Sequence, residues 1–500
     1  MIDVISQQGT AADLTETPLH DCRSYDSPLR DCYLPPLGGD CRSAPLAVAV
    51  ADGGPLERLR PANIHTLPLS DEYAAAYVPS FSSIVVLNRA ARDLLQRLPC
   101  DPQVLSAEER DALRRLQRLR LVRADDALPP PPEPTTLAVW LHISNACNLR
   151  CSYCYLQKSQ EAMSPPIVRA AVDTAIRSAR QHGYSGLALN YAGGEASLRM
   201  DLVELAHTYA QQQAARASVQ LQAGLLSNGT NLTPATLEAI RRLGLRLMIS
   251  LDGLGQEHNS SRPTIGGQGS LDRILAGIAH AQSAGISPDI AITVSATNID
   301  HLTSLLRWLL ARNLRFSLSF YREHDANAAH TDLRIDQERL IAGMRRVYAE
   351  IARNPPPWSL TAALLDRADL TQPHARSCAA GHHYLVIDQQ GRIASCQMQL
   401  DQPLSSVHAS DPLHTIRHDL RAVRSVPVDE KEGCRHCEWR YWCGGGCPLA
   451  TFRATGRYDT GSPHCAIYQS LYPELIRLEG LRLLHWHRRA ADSAAIVAAG

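Results

Sequence analysis

The stretch CNLRCSYCY sets Cys147, Cys151 and Cys154 in a Cx3Cx2C loop. Three thiolates this close can wrap one face of a small metal cluster. A structural zinc site normally takes four protein ligands, and neither a fourth cysteine nor a suitably spaced histidine lies nearby. A [4Fe–4S] cubane held at three corners keeps one iron free for a substrate or cofactor, so the missing ligand would be the functional position. On spacing alone, a zinc site completed from elsewhere in the chain stays open.

Seven more cysteines lie between residues 378 and 465. Cys378 and Cys396 bracket AAGHHYLVIDQQGRIAS, which reads as two short strands joined at QQG, a hairpin presenting both thiols at one end. CRHCEWRYWCGGGC supplies Cys434, Cys437, Cys443 and Cys447, and Cys465 follows after a gap. Seven thiolates cannot fill two four-ligand sites. One site is therefore open or takes another ligand, with His382 and His383 as candidates. A Cx2C pair taken alone favours zinc.

Ten of the fourteen cysteines fall in these two groups. Disulfides are rare in a reducing compartment, so such grouping reads as metal or redox chemistry. Lys plus Arg equals Asp plus Glu, at 50 each, which argues against a nucleic-acid partner. No apolar run is long enough to span a bilayer, and the N-terminus lacks a basic start and an apolar core, so the expected address is the cytoplasm. Cys22, Cys32 and Cys41 have loose spacing in a Pro-, Gly-, Asp- and Ser-rich stretch and read as bystanders.

The elements that must position these groups follow from periodicity. Residues 1–128 form an N-terminal region whose better patterned part, 70–125, holds a short strand, a helix capped by Asn88 and a second helix capped by Ser106. The Pro-rich run at 129–136 reads as a stiff linker. Residues 137–330 then alternate: six strand-like runs, each pair joined by a helix. Such alternation predicts right-handed βαβ units, a parallel sheet and an α/β fold. Six units are too few for a closed eight-fold barrel, and an open, partial barrel and a doubly wound sheet both stay open. Connecting helices at 331–375, a cysteine-rich domain at 376–470 and a C-terminal helix or tail at 471–500 complete the chain.

Ligands of parallel α/β folds gather at the carboxyl ends of the strands. The cysteine loop follows the first strand, GGE (193–195) the second, SNGT (227–230) the third, SLDG (250–253) the fourth and YREHD (321–325) the sixth. Taken singly these are turns; their order along one rim makes that rim the candidate site.

In this order the motifs resemble the radical S-adenosylmethionine (SAM) enzymes. The resemblance covers about residues 137–325 and implies an α/β fold with a partial (β/α)6 TIM-like barrel. It implies that SAM chelates the free iron of a [4Fe–4S] cluster at Cys147, Cys151 and Cys154, and that one electron cleaves it to a 5′-deoxyadenosyl radical. It further implies that Gly193, Gly194 and Glu195 approach the methionyl amino group, with Glu195 contacting the ammonium or steadying the loop. Ser250 and Asp252 would contact the ribose, Ser227 and Asn228 would assist, and Tyr153 would lie beside the adenine. The C-terminal array resembles the SPASM domain of peptide-modifying members. That implies two auxiliary [4Fe–4S] clusters, one on Cys434, Cys437, Cys443 and Cys465, the other on Cys378, Cys396 and Cys447 with an open or non-cysteine fourth position.

The stretch 250–278 resembles peptide-modifying SPASM enzymes, sulfatase maturases included. Those maturases carry an Asp as base directly after the second hairpin cysteine. Gln397 stands there in this chain, and glutamine takes no proton at neutral pH. Residues 72–123 resemble the small winged-helix domain that holds leader peptides by strand addition. The expected activity is therefore that of a radical SAM/SPASM maturase acting on a ribosomal precursor peptide, with no nucleic acid or membrane as partner, an intrapeptide C–C or thioether crosslink as product and flavodoxin or ferredoxin as electron donor. Tyr321, Glu323, His324 and Asp325 are the candidate catalytic residues. Formylglycine formation and a non-enzymatic zinc scaffold are the alternatives.

Overall fold

The computed structural model describes residues 2–6, 59–79, 84–124, 130–324 and 330–499. Cys22, Cys32, Cys41 and Asp325 lie outside the described residues.

The N-terminal part is a four-stranded antiparallel sheet carrying two helices. Its strands are β1 (Val4–Ile5), β3 (His65–Pro68), β4 (Ala74–Tyr77) and β5 (Val85–Leu87), in the order β1-β5-β4-β3, and β2 (Arg60–Pro61) pairs with β6 (Val122–Arg123). The Asn88 side chain caps helix Arg89–Gln96 by accepting the Ala91 N–H, and Ser106 with Glu109 closes a capping box on helix Ala107–Arg118. The two helices bury Leu94, Leu113 and Leu116 against Val85 and Leu87 of the sheet. The participation of Val4–Ile5 was not readable from sequence, because two residues carry no period.

β7 (Thr136–Ser144), β8 (Gly186–Gly193), β9 (Gln220–Ser227), β10 (Arg246–Ser250), β11 (Asp289–Val294) and β12 (Phe316–Phe320) pair in sequence, all parallel, as the alternation predicts. One side chain row of β10 to β12, with Ile249, Ile290, Ile292, Phe316 and Leu318, is buried in a core shared with the outer helices. The other row holds Met248, Ser250, Ala291, Thr293, Ser317 and Ser319, all half-buried. Side chains alternate across a strand, so this small, polar row faces the hollow of the barrel.

The hairpin expected between Cys378 and Cys396 is present as β13 (Tyr384–Ile387) and β14 (Arg392–Ala394), with β15 (Ser405–Ser406) beyond. It does not stand apart. β13 lies parallel to β7, with Tyr384 opposite Ala138 and Ile387 opposite Leu141, so one nine-stranded sheet runs β12-β11-β10-β9-β8-β7-β13-β14-β15. Between 331 and 375 a single α-helix, Gln337–Arg353, replaces the several expected; the buried stretch 359–370 is irregular. The chain ends in helix Cys465–Ala499, which starts at the last cysteine. Its Leu483 and Leu484 pack on Ile5 and Val86, joining the two ends of the chain. No helix among the described residues is long and apolar enough to cross a membrane.

Candidate active site

The first cysteine loop leaves β7 and is held from three sides. The GGE segment closes on it from β8: the Gly194 N–H donates to the Ser144 carbonyl at 2.7 Å and the Glu195 N–H to the Ala146 carbonyl at 2.8 Å. Gly193 has φ +141°, and a Cβ on either glycine would collide with the backbone of residues 144–146. The two glycines thus serve close backbone approach to the cysteine loop itself. Glu195 is 1% exposed. Its carboxylate accepts from the Ser227 hydroxyl at 2.8 Å, the Asn228 N–H at 2.6 Å and the Ser197 N–H at 3.1 Å. It therefore steadies the loop and ties GGE to SNGT. Asn228 in turn donates to the Asn148 side chain at 2.8 Å, one residue beyond Cys147.

On the third side Tyr153 donates its hydroxyl to Asp252 at 2.6 Å and accepts from Arg262, whose guanidinium lies 3.6 Å from the same carboxylate. Asp252 also accepts the Thr293 N–H at 2.8 Å and is 1% exposed. The Ser152 N–H donates to the Ser261 carbonyl and the Arg150 N–H to that of Pro263. Asp252 is therefore spent on positioning Tyr153 and Arg262, and Ser250 is the half-buried hydroxyl of this motif that faces the hollow. Arg262 was missed by the sequence reading, since nothing in NSSRP marks it. His258 accepts the Asp252 N–H at 3.1 Å, and burial, chiefly, holds its pKa down at about 4.

The thiols that feel one another's charge fall into three sets. Burial pushes Cys151 up to about 11, against the pull of Arg262, and Cys154 and Cys147 add to the rise. Burial pushes Cys396 up to about 12, reinforced by Cys378 and Cys447. Cys443 rises to about 12 for the same first reason, with Cys434 and Cys465 adding, while Cys465 also feels Cys437. Crowded, buried thiols disfavour thiolates until a metal supplies positive charge, so each set fits an iron–sulfur group that removes this cost. Among the described residues no three His, Cys, Asp or Glu side chains are arranged to hold a single ion.

The set of Cys378, Cys396 and Cys447 packs with Trp140 and Ala192 on the hollow-facing side of β7 and β8. His382 and His383 lie beside one another, Nδ1 to Nδ1 at 2.9 Å, and burial lowers both. Of the residues after β12, His324 bonds the Met398 carbonyl at 3.0 Å and lies 6.2 Å, ring to ring, from Tyr155. It thus links the residue after Cys154 with the segment after Cys396. Tyr321 is half-buried and bonded through its N–H to Val294. Glu323 is drawn away into an exposed ion pair with Arg334.

Residues 141–309 match the Radical SAM superfamily. That segment is a radical SAM domain. An AdoMet-dependent heme synthase of Methanosarcina barkeri is 24% identical over 353 residues, covering 66% of this chain and 95% of that one. A GTP 3′,8-cyclase of Stenotrophomonas maltophilia is 34% identical over 185 residues, which span 36% of this chain and about half, 52%, of the cyclase. Among solved structures, anSMEcpe with bound AdoMet superposes with a TM-score of 0.56 at 15% identity, covering 69% of this chain and 99% of that one. A SAM-binding [4Fe–4S] cluster belongs to the radical SAM family, and the first loop has the donor set for it.

Proposed function

We propose that the chain is a peptide maturase with three iron–sulfur clusters, which crosslinks a ribosomally made precursor. Cys147, Cys151 and Cys154 would hold the SAM-binding cluster; Cys434, Cys437, Cys443 and Cys465 one auxiliary cluster; and Cys378, Cys396 and Cys447 a second with one position open to another ligand. The bound cofactors supply a 5′-deoxyadenosyl radical able to take hydrogen from a peptide carbon. The observation that carries this reading is the seat of the second auxiliary set on the wall of the same hollow that the first loop rims. A residue in that hollow lies between a radical source and an electron acceptor.

The chain's own residues divide the work. Glu195, Asn228 and the GGE backbone hold the first loop, and Ser250 offers a hydroxyl to the ribose. Tyr153 stays beside the loop through Asp252 and Arg262. His324, placed between the two sites, is the best located of the candidate proton carriers. A peptide substrate accords with anSMEcpe, which has been solved with AdoMet and Cp18Cys peptide. It accords also with β3, whose outer edge has no paired strand among the described residues and could take an added peptide strand. The N-terminal sheet sits beside the auxiliary region, with Tyr77 stacked 6.0 Å from Trp439.

Formylglycine formation is the weaker reading. Gln397 is buried, accepts from the Tyr384 hydroxyl at 3.2 Å and cannot serve as the base. A search for a short reading frame beside the gene, then co-expression with the peptide it encodes and mass spectrometry, tests the proposal. A loss of two hydrogens without fragmentation between the joined residues is expected; an unchanged mass counts against it.

A further inference from the structure

Lys431 is 1% exposed. Its ammonium donates to the Gly445 carbonyl at 3.2 Å and, among the described residues, forms no ion pair with a carboxylate, although its charge helps to lower Asp459. An ammonium taken out of water needs an opposite charge close by. Burial lowers the pKa of Lys431, and the groups that hold it up are thiolates of both C-terminal sets: Cys434 and Cys443 from one, Cys447 and Cys378 from the other. Arg367 acts on Cys396 alone among the cysteines with resolved shifts.

The surrounding chain is built around this position. Gly444, Gly445 and Gly446 all have positive φ, at +58°, +81° and +68°. A Cβ on Gly445 would stand 2.6 Å from the lysine Nζ, and one on Gly444 would collide with the backbone of Ser377. The Ser377 N–H donates to the Gly444 carbonyl at 3.2 Å and its hydroxyl to that of Gly446, which clasps the residue before Cys378 onto this loop. The Cys434 N–H donates to the Lys431 carbonyl at 3.2 Å. The glycine run between Cys443 and Cys447 thus brings both cysteine sets around one buried cation.

We infer that Lys431 is the shared counter-charge of the two C-terminal clusters, raising the reduction potentials of both and favouring electron flow from the hollow into them. This rests on the assignment of two auxiliary clusters made above. A fixed positive charge beside a cluster stabilises its reduced, more negative form. Lys431 touches no reacting atom and acts as a positioning charge.

The test is an EPR-monitored redox titration of the full chain reconstituted with iron and sulfide. Lys431→Met is expected to shift both C-terminal midpoint potentials to more negative values, leaving the cluster of Cys147, Cys151 and Cys154 in place. Lys431→Arg, which keeps the charge, is expected to return both towards wild type. A shift in one C-terminal cluster alone, an equal shift in all three, or no shift overturns the inference. Should the methionine chain lose its clusters, Lys431→Gln is titrated under the same criterion. Cluster loss in both neutral variants but not in Lys431→Arg shows the same need for charge, and loss in all three overturns it. The underlying assignment fails separately, when replacing the C-terminal cysteines leaves the iron content unchanged.

Discussion

The two cysteine regions are held by different means. The first loop is pinned by side chains: Asn228, Asp252 and Arg262 bond it directly, and Glu195 fixes Asn228 from behind. The C-terminal array is held mostly by its own backbone, through short turns such as Cys437 N–H to Cys434 carbonyl and Cys443 N–H to Trp439 carbonyl, and by the glycine run. Exposure divides the C-terminal array itself: Cys378, Cys396 and Cys447 are buried, whereas Cys434, Cys437 and Cys443 are half-buried, like Cys147, Cys151 and Cys154 at their rim, and Cys465 is exposed. A site that must admit a cofactor is kept open by a scaffold of buried polar groups around it.

That contrast can be broken most sharply at the thiols. Replacing Cys147, Cys151 and Cys154 with alanine is expected to abolish 5′-deoxyadenosine formation while leaving the C-terminal clusters in the visible spectrum. Cys396→Ser should do the reverse, with SAM still cleaved under reductant but product peptide lost, as read by chromatography and mass spectrometry.

The scaffolds can then be compared through stability. Asp252→Asn strips the buried Arg262 of its counter-charge and is expected to cost about 3–5 kcal/mol, seen in denaturant unfolding, with the first cluster lost before the others. Acid should act in the same place. His258 is held neutral when folded, at about 4, against about 6.5 unfolded. Its contribution is complete above pH 6.5 and is lost as pH falls towards 4, about 3 kcal/mol over that window. Melting curves at pH 7 and pH 5 should therefore differ less in His258→Gln than in wild type.

The sequence carried the six strands of the barrel because both apolar period and helix caps marked them, and the hairpin of β13 and β14 because QQG separates two apolar runs. The cysteine groupings were legible because thiols near in space are also near in sequence or in a repeated order. What sequence did not carry depends on contacts across the fold. The pairing of β13 with β7 joins segments more than 200 residues apart. Asp252 reads as a ribose contact in SLDG, but only the fold shows that Tyr153, Thr293 and Arg262 occupy its oxygens. Lys431 carries no motif; its meaning comes wholly from burial between two loops.

The zipping of β13 onto β7 has a mechanical consequence. Cys147 hangs from the end of one strand, and Cys378 and Cys396 flank the hairpin begun by its neighbour, so a ladder of backbone hydrogen bonds works as a ruler between them. Neither end can swing to meet a reactant. The spacing between the two cysteine regions is thus set by the sheet before any ligand arrives.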